Sequence, residues 1–337
     1  MTARPPAAVF AGDPLDPHLR LRWRPDCDGN LDCNLSVVQL PEFSAGIWAA
    51  VLAMVCGLVS ATLCRRAGVQ LPIPVAGVLI VVSAAMAFLY TGHLLPGLAT
   101  ALILLLLCGV LAERSAASVV GRALLLAPGA AILATLPALS PLVPVWVLLL
   151  LGTVTALGGA LVADADRYAR EFGAGPVCLA VTVVGVYLTV PDSHLALVLL
   201  PLILAVALLA WPVVLLRLGA GGSGAVVGLL LFVVVVGGRG RLSAVIGGTA
   251  CLGLLVAEPL ARALRGGRSV LDRLPATPTS AVMIGLAQLG VVLLVSRVAG
   301  LRPDVTSSAV IAGGTLVAAV GVLAVLAPAQ TSKGGRW

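Results

Sequence analysis

From Ser44 to Ala329 the chain alternates long apolar runs with short polar breaks, and the runs are of membrane-spanning length. A helix crossing the hydrocarbon core needs ~20 mainly apolar residues at 1.5 Å rise each. On that measure the pattern predicts eleven spans, within a range of ten to twelve: 45–64, 71–91, 95–112, 119–138, 144–163, 175–190, 195–216, 221–238, 242–260, 279–299 and 307–328. The sixth and eighth are short and Gly-rich, so either is open to a re-entrant reading. Backbone groups in lipid must be satisfied within their own segment, so the runs are helices. Barrel strands would alternate over about ten residues, and these runs do not. The expected fold is all-α, a polytopic integral membrane protein. It has a polar, disordered tail over 1–44, a helical bundle over 45–329 and a short C-terminal tail over 330–337.

Composition agrees with the pattern. Apolar residues make up 60% of the chain, charged residues 10%, and mean hydropathy is +1.12. No water-soluble fold hides that much apolar surface, so the first partner is the lipid bilayer. Net charge is +7 with a single lysine, Lys333. Arginine, Ala, Leu, Val and Gly in place of Lys and Ile point to a high-GC bacterial genome, and hence to a bacterial cell (inner) membrane. A basic balance in such a protein marks cytoplasmic loops. No loop interleaves aromatic with basic residues, which sets nucleic acid aside. The first 44 residues hold no hydrophobic h-region, so no cleavable signal peptide is expected and the first span directs insertion.

Arginine position sets the expected orientation. Thirteen positive residues (Arg65, Arg66, Arg114, Arg122, Arg167, Arg170, Arg217, Arg262, Arg265, Arg268, Arg273, Lys333, Arg336) follow odd-numbered spans, against four (Arg239, Arg241, Arg297, Arg302) on the other side. The positive-inside rule then puts the N-terminus outside and the C-terminus inside. The tail sets four arginines against six acidic residues, a net charge of −2 that does not strongly oppose translocation.

Within the tail, Cys27 and Cys33 are separated by five residues. Outside the cell they could close a small disulfide loop around Asp28–Asn30; inside they are thiols. Two ligands with His18 as the one nearby histidine make a poor metal site. The run Asp13-Pro14, Leu19-Arg20-Leu21-Arg22-Trp23 and Cys27-x5-Cys33 with Asp32 before the second cysteine resembles a segment of baseplate proteins from phage-tail-like contractile injection systems. That resemblance covers roughly twenty residues. It implies a tail that docks on a cytoplasmic machine, at odds with an external N-terminus.

Two further segments bear on chemistry. Gly221-Gly222-Ser223-Gly224-Ala225-Val226-Val227-Gly228-Leu229 resembles the nucleophile segment of rhomboid intramembrane proteases. A serine in lipid needs a base, normally a histidine on a facing helix, and the chain has none after His194. The plainer reading makes Ser223, Gly224 and Gly228 a small-residue face for close helix packing. The loop Asp164-Ala-Asp166-Arg167-Tyr168-Ala-Arg170-Glu171 resembles one Asp-rich fragment of intramembrane prenyltransferases, where paired aspartates hold Mg²⁺ on a diphosphate. Those enzymes carry two longer motifs. The spacing also fits a solvated helix end with Asp166/Arg170 and Arg167/Glu171 pairs.

Polar residues deep in spans need a reason. Gln288 lies mid-span, as do Thr153, Thr155 and Thr182, while Glu258 and Arg262 are four apart near the inner end of the ninth span and are expected to pair. Arg122 begins the fourth span. If Arg122, Glu258, Arg262 and Gln288 share one groove, a transporter or flippase for an apolar or lipid-linked substrate gains. If they face separate places, a non-catalytic scaffold gains. Cys56, Cys64, Cys108, Cys178 and Cys251 act as small hydrophobes. Pro74, Pro128, Pro201 and Pro212 are expected to kink or unwind helices. No cofactor or metal site is implied.

Span count and composition are similar to the eleven-span membrane subunit of actinobacterial type VII secretion. The chain lacks that family's N-terminal ubiquitin-like domain and long central cytoplasmic loop. The resemblance implies a non-catalytic membrane subunit, a scaffold or anchor of a larger secretion or injection machine, with protein partners or further copies of itself. The transporter reading is the alternative, and an intramembrane enzyme is the third.

Overall fold

The computed structural model describes residues 41–68, 74–92, 95–115, 118–139, 141–168, 174–190, 194–210, 215–239, 241–264, 278–301 and 305–326. Cys27, Cys33, residues 1–40 of the expected tail and the C-terminal tail lie outside them, while residues 41–44, expected in the tail, already belong to the first helix. Twelve helices form among the described residues, and no strand: α1 (Pro41–Arg66), α2 (Ala76–Tyr90), α3 (Pro96–Arg114), α4 (Val119–Ala134), α5 (Val145–Tyr168), α6 (Ala174–Thr189), α7 (His194–Ala210), α8 (Gly219–Gly237), α9 (Leu242–Ala250), α10 (Gly253–Leu264), α11 (Pro278–Leu301) and α12 (Val305–Leu326). Four stretches, Glu42–Arg66, Pro96–Arg114, Val145–Asp164 and Gly219–Gly237, are long and apolar enough to cross a membrane by length and composition, and six shorter apolar helices accompany them.

The first helix turns its small residues inward. In α1, Ala45, Ala49, Ala53, Gly57 and Ala61 recur every fourth position and are buried. Trp48, Val55, Val59 and Leu63 point away from the bundle, Trp48 with 72% of its surface exposed. A soluble helix does the reverse. Small residues let backbones approach closely, while the outward apolar stripe is a surface suited to lipid and not to water. The fit against α7 is tight: a Cβ on Gly46 would lie 2.8 Å from the Val198 carbonyl oxygen.

At the centre runs α8. It is packed against α2, α3, α4, α5, α7 and α9, and every residue from Gly219 to Val235 is buried. The eighth span was open to a re-entrant reading; it forms one continuous helix of 19 residues, about 28 Å long. Its glycines meet glycines on its neighbours, Gly222 against Gly77 of α2, Gly221 against Gly109 of α3, and Gly224 against Gly159 of α5. Only residues without a side chain allow axes to come this close.

The expected ninth span, 242–260, is corrected. It breaks at Cys251–Leu252 into α9 and α10, of 9 and 12 residues. The Cys251 N–H is shared between the Gly247 and Gly248 carbonyls at 3.3 Å each, and the Leu252 N–H closes a tight turn on Thr249 at 3.0 Å. Glycines flank the break and press on neighbours: a Cβ on Gly248 would meet Val234 of α8 at 2.7 Å, and one on Gly253 would meet Val291 of α11 at 2.7 Å. The helix α4 runs unbroken through Pro128 and α7 through Pro201, so neither proline unwinds its helix.

Candidate functional site

Three places gather what polarity and space the bundle holds. The first lies at the start of α8. There Ala112 of α3, Ala163 of α5 and Ala220 of α8 pack together. Each alanine is beside a charged group or the residues that carry one. Glu113 follows Ala112 and pairs with Arg217 at 3.0 Å. Asp164 follows Ala163 and pairs with Arg122 of α4 at 3.2 Å. All four side chains are largely buried, with 22% or less exposed. Gly219 opens α8 at φ +69°, a conformation glycine takes freely. A Cβ there would lie 3.1 Å from the Glu113 carboxylate and 3.1 Å from Pro74. The carboxylate therefore sits against the positive end of the α8 dipole, where negative charge is favoured. Charge pairs that tie α3, α4, α5 and the entry to α8 together replace water where it is scarce.

The second is the helix break. Gln288 of α11 is fully buried, and its Nε2 donates to the Cys251 carbonyl at 2.6 Å and to the Thr182 hydroxyl of α6 at 3.1 Å. Thr182 donates to its own helix at Cys178, 2.8 Å away, and lies 3.3 Å from the Cys251 carbonyl. A carbonyl released by a broken helix inside a bundle must find a donor. Gln288 supplies it, and α6, α11 and the α9–α10 junction are locked as a result.

The third is a cavity of about 340 Å³ between α5, α9, α10 and α12, touching α8 at Leu231. Its walls include Val147, Leu151, Val154, Val245, Ile246 and Leu316. Thr249 and Thr315 are its polar side chains, and the Thr249 hydroxyl is turned onto the Val245 carbonyl at 2.7 Å.

The structure thus places the residues singled out in the sequence as follows. Arg122 and Gln288 are not brought together: one pairs with α5, the other with α6 and the α9–α10 junction. Glu258 is buried on α10, while the side chain of Arg262 falls outside the described residues, and with it the expected Glu258–Arg262 pair. Neither Arg122, Glu258 nor Gln288 lines the apolar cavity. Ser223 is fully buried and its Oγ has no hydrogen-bond partner among the described residues, so no base touches it there. Gly224 lies against Leu126, whose nearest carbon would be 2.9 Å from an added Cβ, and Gly228 against Leu105, Leu133 and Thr155 at 3.1–3.3 Å. Asp164 is held by Arg122, whereas Asp166, Arg167, Arg170 and Glu171 have no described side chains. Among the described residues no cluster of three His, Cys, Asp or Glu side chains forms a metal site. Thr153 and Thr155 bond back to their own helix at Leu149 and Leu151.

Sequence reasoning missed Glu113, Arg217 and the Asp164–Arg122 pairing. The available signal was weak: each is a charge at the end of a span, and its partner is known only once the helices are arranged. The chain matches no protein-family model and no curated protein.

Proposed function

We propose that this protein is a non-catalytic, multi-pass membrane subunit that serves as a scaffold or anchor for a larger assembly in a bacterial cell membrane. The observation that carries the reading is the use made of buried polarity. Arg122–Asp164, Arg217–Glu113 and Gln288 with Thr182 and Cys251 each join a helix to another helix or to the segment that enters or breaks one. Transporters and intramembrane enzymes instead aim such groups at a substrate path. A bundle locked at both its α8 entry and its α9–α10 break is stiff, which suits a platform. Its outward apolar surface meets lipid or partner helices. The resemblances to the eleven-span type VII subunit and to a contractile-system baseplate segment suggest a secretion or injection machine as the assembly. The arginine asymmetry favours an external N-terminus and internal C-terminus.

A second reading, a transporter or flippase for an apolar or lipid-linked substrate, is favoured by the apolar cavity beside a broken helix. Reconstitution separates the two. Full-length protein in liposomes carrying a head-labelled phospholipid is exposed to an impermeant quencher. The scaffold reading expects the same protected fraction as in empty liposomes. Rapid loss of the protected fraction would replace it with the flippase.

A further inference from the structure

The arginines around the α8 entry are of two kinds. Those turned into the bundle are matched, Arg122 with Asp164 and Arg217 with Glu113. Those turned outward are not. Arg65 and Arg66 end α1, and Arg114 ends α3. Both helix ends lie beside the α8 entry, since Gly57 packs on Leu216 and Gly109 on Gly221. All three arginines are exposed, and none makes an ion pair among the described residues. The sequence holds no Asp or Glu between Glu42 and Glu113. The carbonyl end of α1 offsets about half a charge, which leaves roughly 1.5 positive charges unmatched on the Arg65–Arg66 pair.

Each outward helix end carries its charge above an apolar stripe. On α1, Trp48, Val55, Val59 and Arg66 follow at steps of seven, four and seven residues and are all exposed, so they share the outward face. On α3, Ile103, Leu107, Val110 and Arg114 do the same at steps of four, three and four. Trp48 and Arg66 are about 27 Å apart along the helix, close to the ~30 Å of the hydrocarbon core. The tryptophan then marks one interface and the arginine pair the other, at the depth of the lipid phosphates. A soluble acidic protein would meet the arginines but not the stripe beneath them. A phospholipid with an anionic head meets both.

We propose that the end of α1 binds an anionic phospholipid of the adjoining leaflet, its phosphate on Arg65 and Arg66 and its acyl chains on the outward stripe of α1. The pair carries twice the charge of Arg114 and is the stronger of the two places. The inference does not rest on the scaffold reading, because the lipid is held whether or not the protein joins an assembly.

The test is the lipid selectivity of the purified full-length protein. Wild type is placed in nanodiscs of equal parts phosphatidylglycerol and phosphatidylcholine, transferred to detergent, and examined by native mass spectrometry. Retained lipid should favour phosphatidylglycerol by about tenfold, and less so in high salt. The Arg65→Gln/Arg66→Gln variant should lose most of that preference with helical content unchanged, while Arg65→Lys/Arg66→Lys, which keeps the charge, should retain it. Positive charge also sets orientation, so a measurement on wild type keeps the test decisive if the glutamine variant inserts poorly. Phosphatidylglycerol with a photoreactive head group should crosslink to residues 62–68. The proposal is overturned by equal retention of both phospholipids in wild type, by no retained lipid, by the glutamine variant keeping the wild-type preference, by the lysine variant losing it, or by head-group crosslinks confined to other segments.

Discussion

If α8 is held by glycine-to-backbone contact, the cost of adding one methyl group must depend on what that methyl meets. Three glycines give a graded series. A Cβ on Gly222 would lie 2.5 Å from the Gly77 Cα and 3.0 Å from its nitrogen. Normal carbon contacts are ~3.5–4.0 Å, so α2 and α8 must separate by about 1 Å. Backbone cannot swing aside, and overpacking of this kind costs at least about 3 kcal/mol. A Cβ on Gly224 would meet the Leu126 methyls at 2.9 and 3.2 Å, and these can rotate. The penalty there is about 1–2 kcal/mol, offset in part by the ~0.5–1 kcal/mol that Ala gains over Gly in a helix. Gly290 on α11 has nothing within 4 Å, so Gly290→Ala should stabilise by up to ~1 kcal/mol. The assay is resistance to proteolysis of the full chain in mixed micelles across a series of SDS mole fractions, with midpoints compared. The expected order is Gly290→Ala, wild type, Gly224→Ala, Gly222→Ala, the last with little folded protein. Equal midpoints for Gly222→Ala and Gly290→Ala would refute the glycine clasp.

The remaining predictions concern the polar locks and the tail. Arg122→Ala leaves Asp164 buried without its cation and should cost about 3 kcal/mol, read from the same midpoints; the Arg122→Ala/Asp164→Ala double variant should recover most of that loss. Gln288→Leu removes two interhelical donations and should cost about 1–2 kcal/mol, read from the same midpoints. An impermeant thiol reagent on intact cells should label Cys27 and Cys33 only after reduction if the tail is external and closed as a disulfide loop. Labelling only after lysis would reverse the expected orientation and favour a tail that docks on a cytoplasmic machine.

The sequence made the class of fold legible because lipid imposes one demand, an unbroken apolar run of sufficient length, and hydropathy measures that directly. It could not tell which runs face lipid. The residues of α8 and α1 are equally apolar, yet one is wholly enclosed and the other largely exposed. The small stripe Ala45, Ala49, Ala53, Gly57 and Ala61 was there to be read, as were the glycines of α8, whose closeness to Leu126 and Gly159 is now explicit. The break at Cys251 was hidden because both halves are apolar and the donor that permits it, Gln288, lies 37 residues further on. Gln288 and Thr182 each stood out as polar residues in apolar runs; their meeting through a backbone carbonyl has no side-chain signature. The ion pairs failed for the same reason, since Arg122 and Asp164 are 42 residues apart and are joined only by the packing of α4 on α5.

The central claim is that the bundle is a platform for other subunits. The most direct measurement is the protein mass of the particle released when native membranes are dissolved in a mild detergent, by size exclusion with light scattering corrected for bound detergent. The account predicts a stable particle well above the 33.9 kDa of one chain, containing a fixed ratio of this chain to its partners or to further copies of itself. A homogeneous particle holding one 33.9 kDa chain and no other protein would contradict it.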